Sequence, residues 1–406
     1  MSLKISKSQI NTMLLYASAV LILIKMLTRL NNGVWELSYA NVYTYNFYGS
    51  NLYGEANDWS LYILLFFFII NAKDCLLRKK DFFYVILCIG SFAFWTVIEL
   101  MKGSGNYVFR GSIPTTLCLI PLFFLYGSAR GVREQIKNLS AFLTIGFLAI
   151  TVISSIQTYG SLGYGVRILS SPAKDSLSIA MLSLWVYTFA DTTNNVKKRE
   201  YYFKIVLILI AIVCSIAIIS RSWTIQCFIL LVAYMLVSSD DRAQFIRVIK
   251  VSIVVGILLV VISLTFENLI NSLIGRVGED TRSGQYEQFF SQVKMTSLIL
   301  GNGMNATYKF NGQKYNYFDN QIIFTSFHYG ILSFFVLAVF LLRVILCKVK
   351  DCYNNMRKGL IQKKIVTVLL VAALCGLSVY LKYDWTVPWA LILIYLGSYE
   401  QNLYKE

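Results

Sequence analysis

Apolar segments recur along the whole chain, cut only by short polar breaks, and this repetition leaves few folds open to it. The segments lie near 9–27, 59–72, 82–101, 113–127, 138–157, 176–190, 204–220, 223–238, 251–266, 318–342, 365–382 and 387–399. In hydrocarbon every backbone N–H and C=O must find a partner within the chain, so such segments are expected as helices. Hydrophobic residues make up 57% of the chain and charged ones 14%, with a mean hydropathy of +0.60, outside the usual soluble range. The expectation is an all-α polytopic membrane protein, one domain over 1–406, with twelve transmembrane helices. Several segments fall short of the roughly 20 residues a span needs, so they tilt, borrow flanking residues or are re-entrant.

Lys and Arg flanking spans gather on the cytoplasmic side. With the amino terminus inside, 24 of the 37 basic residues fall in cytoplasmic segments, 12 fall outside, and Lys25 lies within a span. Both termini are therefore expected in the cytoplasm. The formal charge of +16 then reflects topology and contact with anionic lipid, and no nucleic-acid partner is expected. Lys4 and Lys7 ahead of an apolar run give the amino terminus a signal-peptide look, but Ala17-Ser18-Ala19 falls inside that run, which favours an uncleaved first span. In this topology none of the eight cysteines faces the oxidising side, so they are expected as packing residues without a disulfide.

Three outward loops carry substance: 28–58, 158–175 and the largest, 267–317, between spans nine and ten. Loops of this length in a compact chain are functional or disordered. Asn41-Val42-Tyr43-Thr44-Tyr45-Asn46-Phe47-Tyr48 in the first suits an aromatic belt at the interface ahead of a sugar-stacking platform. Arg167, Arg221, Arg276 and Arg282 also fall on this side. Arg221, in Ile219-Ser220-Arg221-Ser222-Trp223, sits in a very short turn between apolar segments. A guanidinium at that depth either snorkels to headgroups or holds an anion, and its planar fork of donors fits phosphate oxygens. Arg276 and Arg282 flank Glu279 and Asp280, so an acid-paired surface is the simpler reading for them.

Asp319-Asn320 opens the tenth segment, and nine residues later comes Gly330. A carboxylate and an amide at the head of an apolar run are either a helix cap or a functional pair. His328, the only histidine, is expected about 13 Å along the same span, at 1.5 Å per residue, as a packing side chain. Lys25 and Glu99 are expected as interface anchors. A Walker loop, HExxH and a Cys-x-x-Cys pair are absent, and Gly301-Asn302-Gly303 is read as a turn.

Together, the Ser-Arg-Ser turn, the loop ending in Leu300-Gly301-Asn302-Gly303, and Asp319-Asn320 with Gly330 resemble the O-antigen polymerase and ligase superfamily of GT-C type membrane glycosyltransferases. The motif-bearing part of the resemblance covers roughly residues 200–345. In the ligases the last motif begins with His; Asp319 stands in that position here and is more like the polymerases. Ile225 takes the place of a Leu four residues after Arg221, and Gln285 follows Ser283-Gly284 where a second arginine is usual, which leaves that role to Arg282 or Arg276. The resemblance implies glycosyl transfer between undecaprenyl-pyrophosphate-linked glycans at the outer face of the cytoplasmic membrane, with Asp319 and Asn320 catalytic and Arg221, Arg276, Arg282 and Arg167 binding pyrophosphate. It implies no metal or other cofactor, and membrane lipids and a chain-length regulator as candidate partners. A flippase for the same lipid-linked glycan is the reading from another class, since it too needs many spans and cations for pyrophosphate.

Overall fold

The computed structural model describes residues 6–31, 52–75, 79–103, 117–127, 131–162, 172–190, 198–237, 281–303, 306–315, 320–346, 354–377 and 386–402, with a few isolated positions. These residues are almost all helical. The first four helices are α1 (Lys7–Asn31), α2 (Leu52–Ile70), α3 (Lys79–Met101) and α4 (Leu117–Tyr126). Next come α5 (Val132–Leu162), α6 (Pro172–Phe189), α7 (Lys198–Ala217) and α8 (Arg221–Val237). Beyond them lie α9 (Thr281–Gln292), α10 (Gln321–Tyr329), α11 (Phe335–Leu346), α12 (Asn354–Ala372) and α13 (Thr386–Asn402). Among the described residues four helices are long and apolar enough to cross a membrane, or five if α10 and α11 count as one broken span. The ninth expected segment, 251–266, lies almost wholly outside the described residues.

Two helices form the axis of the bundle. In α6 every residue but Lys174 is buried, and in α13 every residue from Val387 to Tyr399 is. A helix apolar or small all round must be enclosed by other helices, and α6 and α13 touch each other within a ring formed by α2, α4, α5, α7, α8 and α12. The glycines of this axis explain its closeness. A Cβ on Gly397 would strike the Phe124 carbonyl, and one on Gly127 would strike the backbone of Gly397 and Ser398. Small residues of this kind let helix backbones meet where lipid supplies no hydrophobic drive between helices.

Peripheral helices present the reverse face. Phe82, Phe83, Ile86, Ile89, Phe94, Val97 and Leu100 stand exposed along α3, and Ile225, Ile229, Val232 and Leu236 along α8. Apolar stripes of this extent in water invite association, whereas hydrocarbon accepts them.

The tenth segment departs from the expectation of one continuous span. It breaks at Gly330 into α10 and a second helix, and the two are bent by 120°. Gly330 has φ +90° and ψ 149°, a conformation open essentially to glycine alone. His328 therefore lies in the last turn of a nine-residue helix, not in the middle of a long one. Lys25 and Glu99 also differ from the anchors expected of them: both are enclosed, at 8% and 4% exposure.

Candidate functional site

The site is built around α10. Asn320 adopts an extended conformation, and its Oδ1 accepts hydrogen bonds from Ile322 N at 3.0 Å and Ile323 N at 3.3 Å. That is the N-cap arrangement, in which one side-chain oxygen satisfies backbone donors orphaned at a helix start. The cap expected as the simpler reading of Asp319 is thus made by its neighbour. Asp319 itself lies outside the described residues. Both of its chain neighbours are held, Asn320 by the cap and Phe318 by complete burial.

Phe318 belongs to a small aromatic core separate from the main one, with Phe289, Tyr308, Tyr315 and Phe327. Its ring lies 4.4 Å from that of Phe289 and stacks on Tyr308 at 4.8 Å. Around this core the described part of the large loop is ordered as α9 and a hairpin, β1 (Tyr308–Phe310) and β2 (Gln313–Tyr315), paired Tyr308 to Tyr315. The connecting Asn311 and Gly312 have φ of +49° and +79°. Asn-Gly is the pair that such two-residue hairpin turns demand, so this element was legible in the sequence and was missed. Gln285, standing where the resemblance leads one to look for an arginine, is buried and donates from Nε2 to the Tyr308 hydroxyl at 2.6 Å. Its role is to hold the hairpin to α9.

The far end of α10 is fixed by the turn Gly301–Gly303. Asn302 N donates to Phe327 O at 2.8 Å and Gly303 N to His328 O at 2.9 Å. His328 Nδ1 lies 3.1 Å from Gly303 O, which makes the histidine a packing and bonding element of this turn. Gly301 and Gly330 meet backbone to backbone: a Cβ on Gly330 would overlap Ile299 O, and one on Gly301 would overlap Tyr329 and Gly330. Lys102, just beyond α3, adds a clamp by donating to Leu300 O at 2.5 Å and Gly301 O at 3.0 Å. Burial lowers the pKa of its ammonium, and the nearby Glu99 carboxylate works against that shift. Gly330→Ala adds both a forbidden backbone conformation and an overlap, so it is expected to cost upwards of about 2 kcal/mol of stability. Thermal unfolding of the purified protein measures this, and an unchanged midpoint would mean that the two backbones do not meet.

Arg221 is the first residue of α8 and is half-buried. The turn that delivers it is strained. Ser220 N donates to Ser215 O at 2.8 Å and Ile219 N to Ile216 O at 2.9 Å, the helix-ending pattern whose left-handed residue is normally glycine. Here that residue is Ile219, with φ +58°. A β-branched residue in this region costs on the order of 1–3 kcal/mol, and such strain concentrates at functional sites. A π-helical turn, Ala373–Leu377, continues α12 and touches both α8 and α10, so the helices bearing Arg221 and Asn320 share a neighbour.

Of the remaining expected site residues, Arg167 and Arg276 lie outside the described residues, as does the side chain of Arg282 on the first turn of α9. The structure adds one residue that the sequence reading did not single out for the site, Lys102, through its bonds to Leu300 O and Gly301 O. No family model matches the chain, and no curated protein or solved structure matches it either.

Proposed function

We propose that the chain is a membrane glycosyltransferase that joins undecaprenyl-pyrophosphate-linked oligosaccharide units into a longer polysaccharide at the outer face of the cytoplasmic membrane. The twelve-span topology with both termini in the cytoplasm belongs to this proposal. One observation carries it: α10 is held at both ends by residues of the motifs and shares a neighbour with the helix of Arg221. The Gly301–Gly303 turn is bonded to its end, Asn320 caps its start, and the helix of Arg221 shares the Ala373–Leu377 turn with it.

In the proposed reaction the acceptor sugar hydroxyl attacks the anomeric carbon of the donor glycan. The new C–O bond forms as the bond from that carbon to the pyrophosphate oxygen breaks. The Asp319 carboxylate takes the hydroxyl proton, and the pyrophosphate leaves with the electron pair while Arg221, with Arg276 or Arg282, holds its charge. Asn320 orients Asp319 or a sugar hydroxyl through its amide nitrogen, its oxygen being spent on the cap. Arg167 is a further candidate for pyrophosphate, and a chain-length regulator a candidate partner.

The broken helix pair α10–α11 favours a second reading, a flippase, because discontinuous helices near the membrane midplane are a transporter device. The surface glycan of a strain lacking this gene separates the two. Products of a single repeat unit mean a polymerase. Loss of all surface glycan means a flippase, or a ligase that attaches the finished chain.

A further inference from the structure

Beneath Arg221, α6 and α8 face each other across a set of polar groups that the bundle encloses. The rings of Trp185 on α6 and Trp223 on α8 lie 6.0 Å apart, tilted by 44°. One turn along each helix, Cys227 Sγ lies 3.3 Å from Met181 Sδ, so the turns Met181–Trp185 and Trp223–Cys227 are in register. Gln226 lies within the second turn. Trp185, Trp223 and Gln226 are 0%, 1% and 1% exposed. Neither indole Nε1 nor either polar atom of the Gln226 amide has a hydrogen-bond partner among the described residues, and the Ser220 hydroxyl above them has none. Ser220, Trp223 and Gln226 recur at three-residue intervals, so they descend one side of α8 from beside Arg221 into the bundle.

Buried indole N–H groups and amides nearly always find partners, because each left unmade keeps its full desolvation cost. Here two N–H donors, an amide with both donor and acceptor, and a hydroxyl lie on the facing turns of two contacting helices. We propose that Trp185, Trp223 and Gln226 form a binding site for one hydroxyl group, which accepts from an indole or amide N–H and donates to the Gln226 carbonyl. Aromatic rings 6.0 Å apart leave no slot for a whole sugar ring, so the fit is to a single hydroxyl. That hydroxyl is either a resident water or a sugar hydroxyl next to the phosphate at Arg221; the second source rests on the function proposed above.

Gln226→Met tests the site, because methionine keeps the length of the side chain and removes both polar atoms. In purified protein free of glycan, a site filled by water predicts a lower thermal midpoint. The loss should shrink when Trp185→Phe is already present, since the two groups share one ligand. A sugar hydroxyl predicts a raised or unchanged midpoint in the same preparation, with surface glycan cut to short chains in cells at normal protein level. A raised or unchanged midpoint with full-length glycan overturns the proposal. So does a lowered midpoint whose losses simply add, which means packing alone. A lowered, non-additive midpoint stands even where Asp319→Asn leaves chain length untouched, so the site and the function fail separately.

Discussion

Asp319→Asn should leave single repeat units on the surface and remove the longer glycan chains. Losing a general base typically costs 10² to 10⁴-fold in rate, enough to erase a product that needs many successive transfers. The helix geometry makes this substitution informative. The cap of α10 is Asn320, whose oxygen takes the Ile322 and Ile323 amides. Changing the residue before it therefore leaves the cap in place, and the protein should accumulate to its normal level. Asn320→Ala is the contrasting variant, expected to cost about 1 kcal/mol of stability through loss of the cap. The readout is the length distribution of surface glycan alongside immunoblotted protein. Long chains from Asp319→Asn would remove it from the base role.

Arg221→Lys should reduce chain extension at least about tenfold, since lysine keeps the charge but cannot offer two parallel N–H donors to one phosphate. The strain before it bears on the same point. Ile219 is held at φ +58° although glycine would enter that conformation freely, so the turn places its arginine at some cost. A residue that merely reached toward lipid headgroups would tolerate lysine. Near-normal chain length from Arg221→Lys would place Arg221 in that class.

Helix positions were largely written in the hydropathy. The segments at 82–101, 204–220 and 223–238 became Lys79–Met101, Lys198–Ala217 and Arg221–Val237, because Ser220-Arg221 interrupts the apolar run where the turn falls. The break at Gly330 was not legible, since its cause is a contact with Gly301 across a stretch that includes a hairpin. Nor could hydropathy separate α6 and α13 from the helices around them. Lipid tails and protein interiors are equally apolar, so both surroundings accept the same side chains. For the candidate site, residue types pointed to the segments, while the division of labour within them needed geometry. Asn320 proved to be the cap, Gln285 a brace for the hairpin and His328 part of the Gly303 turn. Lys102 drew no attention because a lysine after an apolar run looks like any other flanking charge.

The enclosure of α13 has a consequence for how the protein is made. It is synthesised after every helix that surrounds it, yet it occupies the middle, with Gly397 against the Phe124 carbonyl. Until it arrives only the α6 half of the axis is present, packed on α5, α7 and α8, and the Gly127 contact stands open. Closure of the bundle is therefore the last step of its assembly. A ribosome that stalls before residue 386 would leave α5 to α8 packed on one another and α4 without the helix it meets most closely.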